Sequence, residues 1–323
     1  MYRTVLRLVL GIFLSAAGLS PAFSASWPDR PVKIVVTQGS GSGSDIMARL
    51  IAQYMGPELG QSVIVENRPG ASGIIGDEYV AHSKSDGYTL LFSSTAPLLV
   101  APLMLPDAKF RYSDLMPVAP VMRAQFVVLV ANKPDAPKTL AELLDKVRAG
   151  KTAYSSAGLG TMTHLASELL LKKAGLSATH VPYKGSGQSL SDLIGGQVLF
   201  SSDSLTASMP LIKSGRLRAL AVTGPQRSPS LPDVPTLSES GFPGLSISTI
   251  GGLFGPKGIP APIAGRIYAA VAQAQKNPAM IASFAKLDTD VLAISNEQFA
   301  ADFRHDAVSW DQLLTQLHLK KGQ

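Results

Sequence analysis

Strand, glycine-serine loop, helix: the run from Val32 to Arg49, VKIVVTQGSGSGSDIMAR, constrains this chain more than any other stretch. Val32, Ile34, Val35 and Val36 are β-branched and apolar, the composition of a buried strand. Glycine and serine alternate from Gly39 to Ser44, so the backbone there is almost bare. Behind Asp45, the apolar Ile46, Met47, Leu50 and Ile51 recur at helical spacing. A helix that starts in such a loop presents unpaired N–H groups to anything that approaches. Those groups and the aligned peptide dipoles favour an anion. A tight βα turn without a ligand has the same pattern, so both readings stand.

The device recurs. TAYSSAGLGTMTHLA, from Thr152 to Ala166, runs from a short strand through Ser155–Gly160 into a helix expected near Thr161. Between the two, Val63-Ile64-Val65 leads into Arg68-Pro69-Gly70-Ala71-Ser72-Gly73 and a further apolar run. Nucleotide variants of the loop do not fit: G-x-x-x-x-G-K-[ST] is absent, and Gly39-x-Gly41-x-Gly43 lacks the G-x-G-x-x-G spacing.

Alternating strands and helices predict an α/β fold with mainly parallel sheets and a ligand at the carboxyl ends of the strands. Helices are expected over Ile46–Met55 (stopped by Gly56-Pro57), Ile74–Ser83, Thr139–Ala149, Thr163–Lys173, Ser189–Ile194, Ala264–Gln275 and Asn296–Leu317. Strands are expected over Ser62–Glu66, Tyr88–Ser93, Phe126–Ala131, Val198–Ser202 and Leu217–Thr223, and residues 224–244 read as a long irregular crossing. The second strand-loop-helix unit sits between Phe126 and Thr223. That placement predicts two lobes, 25–124 with 224–323 and 125–223, and a cleft between them.

The first 24 residues read as a secretory signal: Arg3 and Arg7, an apolar run Leu8–Leu19, and small residues Ala22 and Ser24 at a processing site. Their removal takes two arginines and no acid from a formal charge of +6, leaving +4 with no basic block. Nucleic-acid binding needs a basic stripe or aromatic platforms and is not expected. The chain has no cysteine, which excludes disulfides, cysteine-ligated metals, thiol nucleophiles and a lipidated N-terminal cysteine. An unanchored periplasmic protein is expected, a monomer with no cofactor and no metal. The five histidines form no H-E-x-x-H pair, and no G-x-S-x-G elbow exists, so a small-molecule enzyme is the less favoured reading.

Seven stretches together carry a resemblance: VTQGSGSGSDIMARLIA, VIVENRPGASGIIG, SDGYTLLFSS, YSSAGLGTMTHLASELL, THVPYKGSGQSLSDLIGGQV, GRLRALAVTG and LPDVPTLSESGFPG. In this order, over nearly all the mature chain, they resemble the Bug-type (TctC-like) substrate-binding proteins of tripartite tricarboxylate transporters. The resemblance implies a type II periplasmic binding-protein fold that captures a small mono-, di- or tricarboxylate and delivers it to the transporter's membrane permease; ligand sensing is the alternative role. Two departures stand out. The family's proline-aromatic-proline run before the first glycines is here Thr37-Gln38-Gly39, and a tryptophan frequent in the family is replaced in Thr249-Ile250-Gly251-Gly252. Both make the pocket walls smaller and more polar.

The expected ligand-binding residues are Gly41, Ser42, Gly43, Ser44, Ala71, Ser72, Ser93 and Thr95 in the first lobe, with Ser156, Gly160, Thr161, His164 and Asp203 in the second. Their hydroxyls and backbone N–H groups can hold a carboxylate without a buried arginine. Asp45 reads as an acid that stabilises its helix start, and His180 as structural. His164 fits a capping or core role as well as a ligand contact, and Asp203 either a turn or an acceptor for a ligand amine or hydroxyl.

Overall fold

The computed structural model of the chain describes residues 27–105, 109–316 and 319–320; the expected signal segment lies outside them. Its first unit is β1 (Val32–Val36), α1 (Gly43–Leu59), β2 (Val63–Asn67), a one-turn 3-10 helix Ala71–Gly73, α2 (Ile74–Ala81) and β3 (Thr89–Ser94). β1 pairs in parallel with both β2 and β3. A short helical stretch over 96–104 then leads to β4 (Leu115–Ala131). The second unit repeats the plan with α3 (Leu140–Ala149), β5 (Ala153–Ser156), α4 (Met162–Lys173), β6 (Thr179–Pro182), α5 (Ser186–Gly195), β7 (Phe200–Ser204), α6 (Leu205–Lys213) and β8 (Leu217–Val222). β5 is the middle of another parallel triplet, with β6 and β7 on its sides. The chain ends with β9 (Ser248–Pro256), α7 (Ala261–Ala274), α8 (Pro278–Lys286), β10 (Thr289–Val291) and α9 (Asn296–Gln316).

Antiparallel strands join the two triplets. β4 is 17 residues long and changes partners along its length. Residues 115–125 pair with β9 on the first side, and 126–131 with β7 and β8 on the second. The sequence reading found only Phe126–Ala131, because Pro117 and Pro120 argue against a central strand. Both prolines sit beside register shifts against β9, at Pro117/Ala119 and Pro120/Met122, where a missing N–H breaks no regular ladder. β9 has no strand expectation from sequence for a related reason. A Cβ on its Gly252 would lie 2.3 Å from the Ala119 carbonyl and 2.7 Å from the Phe299 ring, so glycine is demanded by packing, not by a turn.

Contrary to the expectation from sequence, Gly56-Pro57 does not stop α1, which runs on to Leu59. Met55 and Leu59 stay on its buried face, and the helix ends at Gly60, whose left-handed backbone (φ 71) returns its N–H to Gly56 and Pro57. Burial of Leu59 outweighs the one hydrogen bond that Pro57 cannot make. Three apolar clusters fill the interior. One lies under α1 and α7, around Ile34, Ile51 and Phe284; one under α5 and α6, around Leu129, Leu193 and Val222. The largest runs from Val35 and Leu91 through Phe254, Phe299 and Phe303 to Tyr154, Phe200 and Trp310, so α9 packs against both units. No described helix is long and apolar enough to cross a membrane.

Candidate functional site

α1 follows the middle strand of the first triplet and α4 the middle strand of the second, so the two helix starts occupy equivalent places. Their wiring is also the same. Ser42 caps α1 by accepting from the Asp45 N–H at 3.2 Å, and the Asp45 carboxylate accepts from the Gly41 N–H at 2.8 Å. Thr161 caps α4 by accepting from the His164 N–H at 3.4 Å, and His164 Nδ1 accepts from the Gly160 N–H at 3.3 Å. Gly41 and Gly160 both have left-handed backbone, φ 81 and 75. In each start one hydroxyl satisfies an open helix donor, and the N3 side chain reaches back to the N–H of the glycine before the cap. The N–H groups of Gly43 and Ser44, and of Met162 and Thr163, stay at the front of the helices.

The chemistry behind the two caps differs. Asp45 is buried, yet its carboxylate takes further bonds from Arg49 (2.9 Å) and from Asn67 Nδ2 (2.9 Å). Burial alone would raise its pKa; the Arg49, Gly41 and Asn67 hydrogen bonds outweigh that and bring it to about 2. His164 instead stacks on His180 with ring centroids 4.0 Å apart, and His180 stacks on Tyr154 at 4.9 Å, which continues to Phe200 at 5.3 Å. Burial lowers His164 to about 3, helped by His180, and burial lowers His180 to about 4. Both rings are neutral at physiological pH, as an acceptor role for Nδ1 requires.

The second-lobe loop is knitted by hydroxyls. Ser156 Oγ bonds His180 Nε2 at 2.7 Å and Gly158 at 3.1 Å, Thr161 donates to the Gly158 carbonyl at 2.7 Å, and Thr163 accepts from the Ala157 N–H at 2.9 Å. His180, read from sequence as structural, therefore backs this loop directly. Asp203 is the next-to-last residue of β7, the strand that pairs Ser201 with Ser155 of β5. It is fully buried, and one oxygen accepts from Ser186 Oγ and from the Ser204 N–H, both at 2.7 Å. Its other oxygen has no partner. Burial, partly offset by those bonds, raises it to about 6.

In the first lobe, Ala71 and Ser72 hold left-handed conformations (φ 46 and 55) between Gly70 and Gly73, and both are exposed. Non-glycine residues pay for this geometry. A Cβ on Gly73 would press Pro97 at 3.0 Å and Thr37 Oγ1 at 3.1 Å, so the loop lies against the start of the 96–104 helical stretch. Ser93 is buried with an unpartnered hydroxyl. Thr95 is committed elsewhere: its hydroxyl exchanges hydrogen bonds with the Ile250 N–H and carbonyl of β9, both at 3.3 Å. The two halves meet at Gly160, where a Cβ would come 2.9 Å from Met104 Sδ. Neither described cavity, about 410 Å³ between α4, α9 and β9 and about 850 Å³ between the 96–104 stretch and α9, is lined by any expected site residue.

Sequence reasoning missed Ser186 and Met104, and considered Asp77 only as a candidate partner of Arg68. Asp77 lies fully buried in α2 with both oxygens unpartnered, and burial holds its pKa well above the usual carboxylate range. Of the two acids that the sequence offers Arg68 as structural partners, Glu66 and Asp77, it bonds Glu66, and it covers the Tyr79 ring at 3.6 Å. No three acids or histidines gather as a metal site among the described residues.

Comparison with known proteins places this geometry. The model of the tripartite tricarboxylate transporter family receptor, TctC, matches residues 47–319. Protein BugT of Bordetella pertussis is 37% identical over 88% of this chain and 89% of its own length. Among solved structures, a Rhodopseudomonas palustris protein with adipate is 30% identical, with a TM-score of 0.80 over 90% of this chain and 97% of its own. MatC from the same organism, with bound malate, is 29% identical with a TM-score of 0.77 over 89% of this chain and all of its own. With the family model matched over most of the chain and BugT over nearly nine-tenths of it, this chain belongs to the TctC family, the Bug-type receptors with a two-lobed α/β fold.

Proposed function

We propose that the chain is a periplasmic receptor that holds a small carboxylate between its lobes and passes it to the permease of a tripartite tricarboxylate transporter. The observation that carries this reading is the pair of equivalent helix starts, at Ser42–Asp45 and Thr161–His164. Each is anchored from behind, and each leaves its first N–H groups forward. The malate and adipate bound to two relatives are of this ligand class.

The lobes in this reading are 25–124 with 224–323, and 125–223. They close about the point where the chain crosses. Thr223 stitches that point: its hydroxyl accepts from the Phe126 N–H at 2.9 Å and donates to the Ile247 carbonyl at 2.6 Å. Closure would remove the ligand from water and present one defined face to the permease. A thermal-shift screen of carboxylates, amino acids and sugars tests the reading. A ligand at a hundred times its dissociation constant adds about 2.7 kcal/mol. A melt shifted only by sugars or by cationic solutes overturns the carboxylate assignment.

A further inference from the structure

Asp203 is wired to accept one more hydrogen bond than the protein supplies. It stands at the carboxyl end of β7, where the starts of α5 and α6 converge. One oxygen is pinned by Ser186 Oγ, the first residue of α5, and by the N–H of Ser204, the cap of α6. The other oxygen is fully buried and unpartnered. The groups acting on the carboxyl are hydroxyls and one N–H; no arginine or lysine is among them. A buried carboxylate oxygen left in this state costs free energy unless a donor reaches it. Gly185 and Gly187, on either side of Ser186, have open space where a side chain would begin.

We propose that Asp203 reads a hydrogen-bond donor on the ligand, so that the receptor selects hydroxy- or amino-substituted carboxylates over the unsubstituted acids of the same length. This rests on the carboxylate-receptor reading and names the ligand within it. The ligand carboxylate cannot lie against Asp203, where like charges would meet, and goes to the helix starts instead. Its hydroxyl or ammonium then completes the Asp203 shell. A raised Asp203 pKa fits a site that lacks a cation until the ligand brings a donor.

The Asp203→Asn variant gives a sharp test because the amide cannot settle freely. The Ser204 N–H requires an acceptor, so the amide oxygen takes the pinned position and the NH2 group faces the open one. The site then changes from accepting to donating. Calorimetric titration would use two matched series, succinate with malate and aspartate, and glutarate with 2-hydroxyglutarate and glutamate.

At the length that binds, a substituted acid should bind wild type about tenfold more tightly than its parent, the effect of one charge-assisted hydrogen bond. Asp203→Asn should erase or invert that ratio while the parent acid binds at least as well as before. A parent acid that binds wild type as tightly as its substituted forms overturns the proposal, whether or not the variant folds. If no acid in either series binds and only sugars or cationic solutes shift the melt, the receptor reading itself fails and takes this one with it.

Discussion

The starts of α1 and α4 share a plan, Gly-Ser/Thr-x-Ser/Thr and then the capping side chain, yet that side chain is an acid in one and an imidazole in the other. Asp45 closes its loop as a full negative charge and needs Arg49 and Asn67 to hold it. His164 closes the same loop as a neutral ring, held by stacking on His180. The difference teaches where a ligand's charge can go. A carboxylate near α1 meets a helix dipole already answered by an acid in its first turn. A carboxylate near α4 meets the dipole alone. The second-lobe start is thus the stronger anion site, and the first-lobe start contributes N–H groups more than charge.

The sharpest way to break the symmetry is at the glycines. Gly160→Val forces a β-branched residue to φ 75 and drives it toward Met104, so binding should be lost and stability should fall by roughly 2 kcal/mol or more. Gly43 has ordinary helical backbone, and a Cβ there has only Met47 Cε, 4.0 Å away. Gly43→Val should therefore cost no more than about 1 kcal/mol in stability and still lose binding, because it crowds the front of α1. Denaturant melts beside calorimetry separate the two. Equal stability losses would remove the structural distinction, and unchanged affinity in both variants would make the loops mere turns.

His164→Asp would make the second start imitate the first without an Arg49 or Asn67 to answer it. Carboxylate affinity should drop by about tenfold or more, since a like charge now sits beside the ligand. An affinity within twofold of wild type would show that the α4 dipole does not hold the carboxylate.

Acid should then dissolve the two starts in sequence. His164 and His180 have folded pKa values of about 3 and about 4, below the ordinary histidine value of 6.5. The unfolded chain takes up more protons between, so their contribution is complete at neutral pH and is lost as pH falls below about 6.5. Asp45, at about 2 in the fold, keeps its contribution until pH falls below about 4. Asp203 acts with the opposite sign: raised to about 6, it holds a proton in the fold between about pH 4 and 6 and offsets one of the two histidines in global stability. Exchange protection of single amides avoids that cancellation. The Gly160 N–H should lose protection as pH falls through about 4 to about 3 while the Gly41 N–H keeps it until about 2; simultaneous loss would contradict the assignment.

Much of this plan was legible in the sequence. The bare Gly-Ser loop and the paired hydroxyls announce both helix starts, because only glycine takes the left-handed turn before each cap and only a short hydroxyl reaches the N3 amide. Asp45 as an acid serving its own helix was legible for the same reason. The partners that come from far along the chain were not. His180 lies on a different strand from His164, and Ser186 reaches Asp203 only because β7 and α5 are neighbours in space. Glycines and prolines in β4 and β9 satisfy tertiary contacts while mimicking loop composition, so local reading shortened one strand and omitted the other. Asp77, buried without a partner inside a helix, left no pattern at all.

The central claim is that both helix starts hold one carboxylate together, and titration of 15N-labelled protein with the acid that shifts the melt tests it most directly. The Gly43, Ser44, Met162 and Thr163 amides should move together along one saturation curve, with the larger displacements at Met162 and Thr163. Movement confined to one start, or saturation at two different concentrations, would contradict the account.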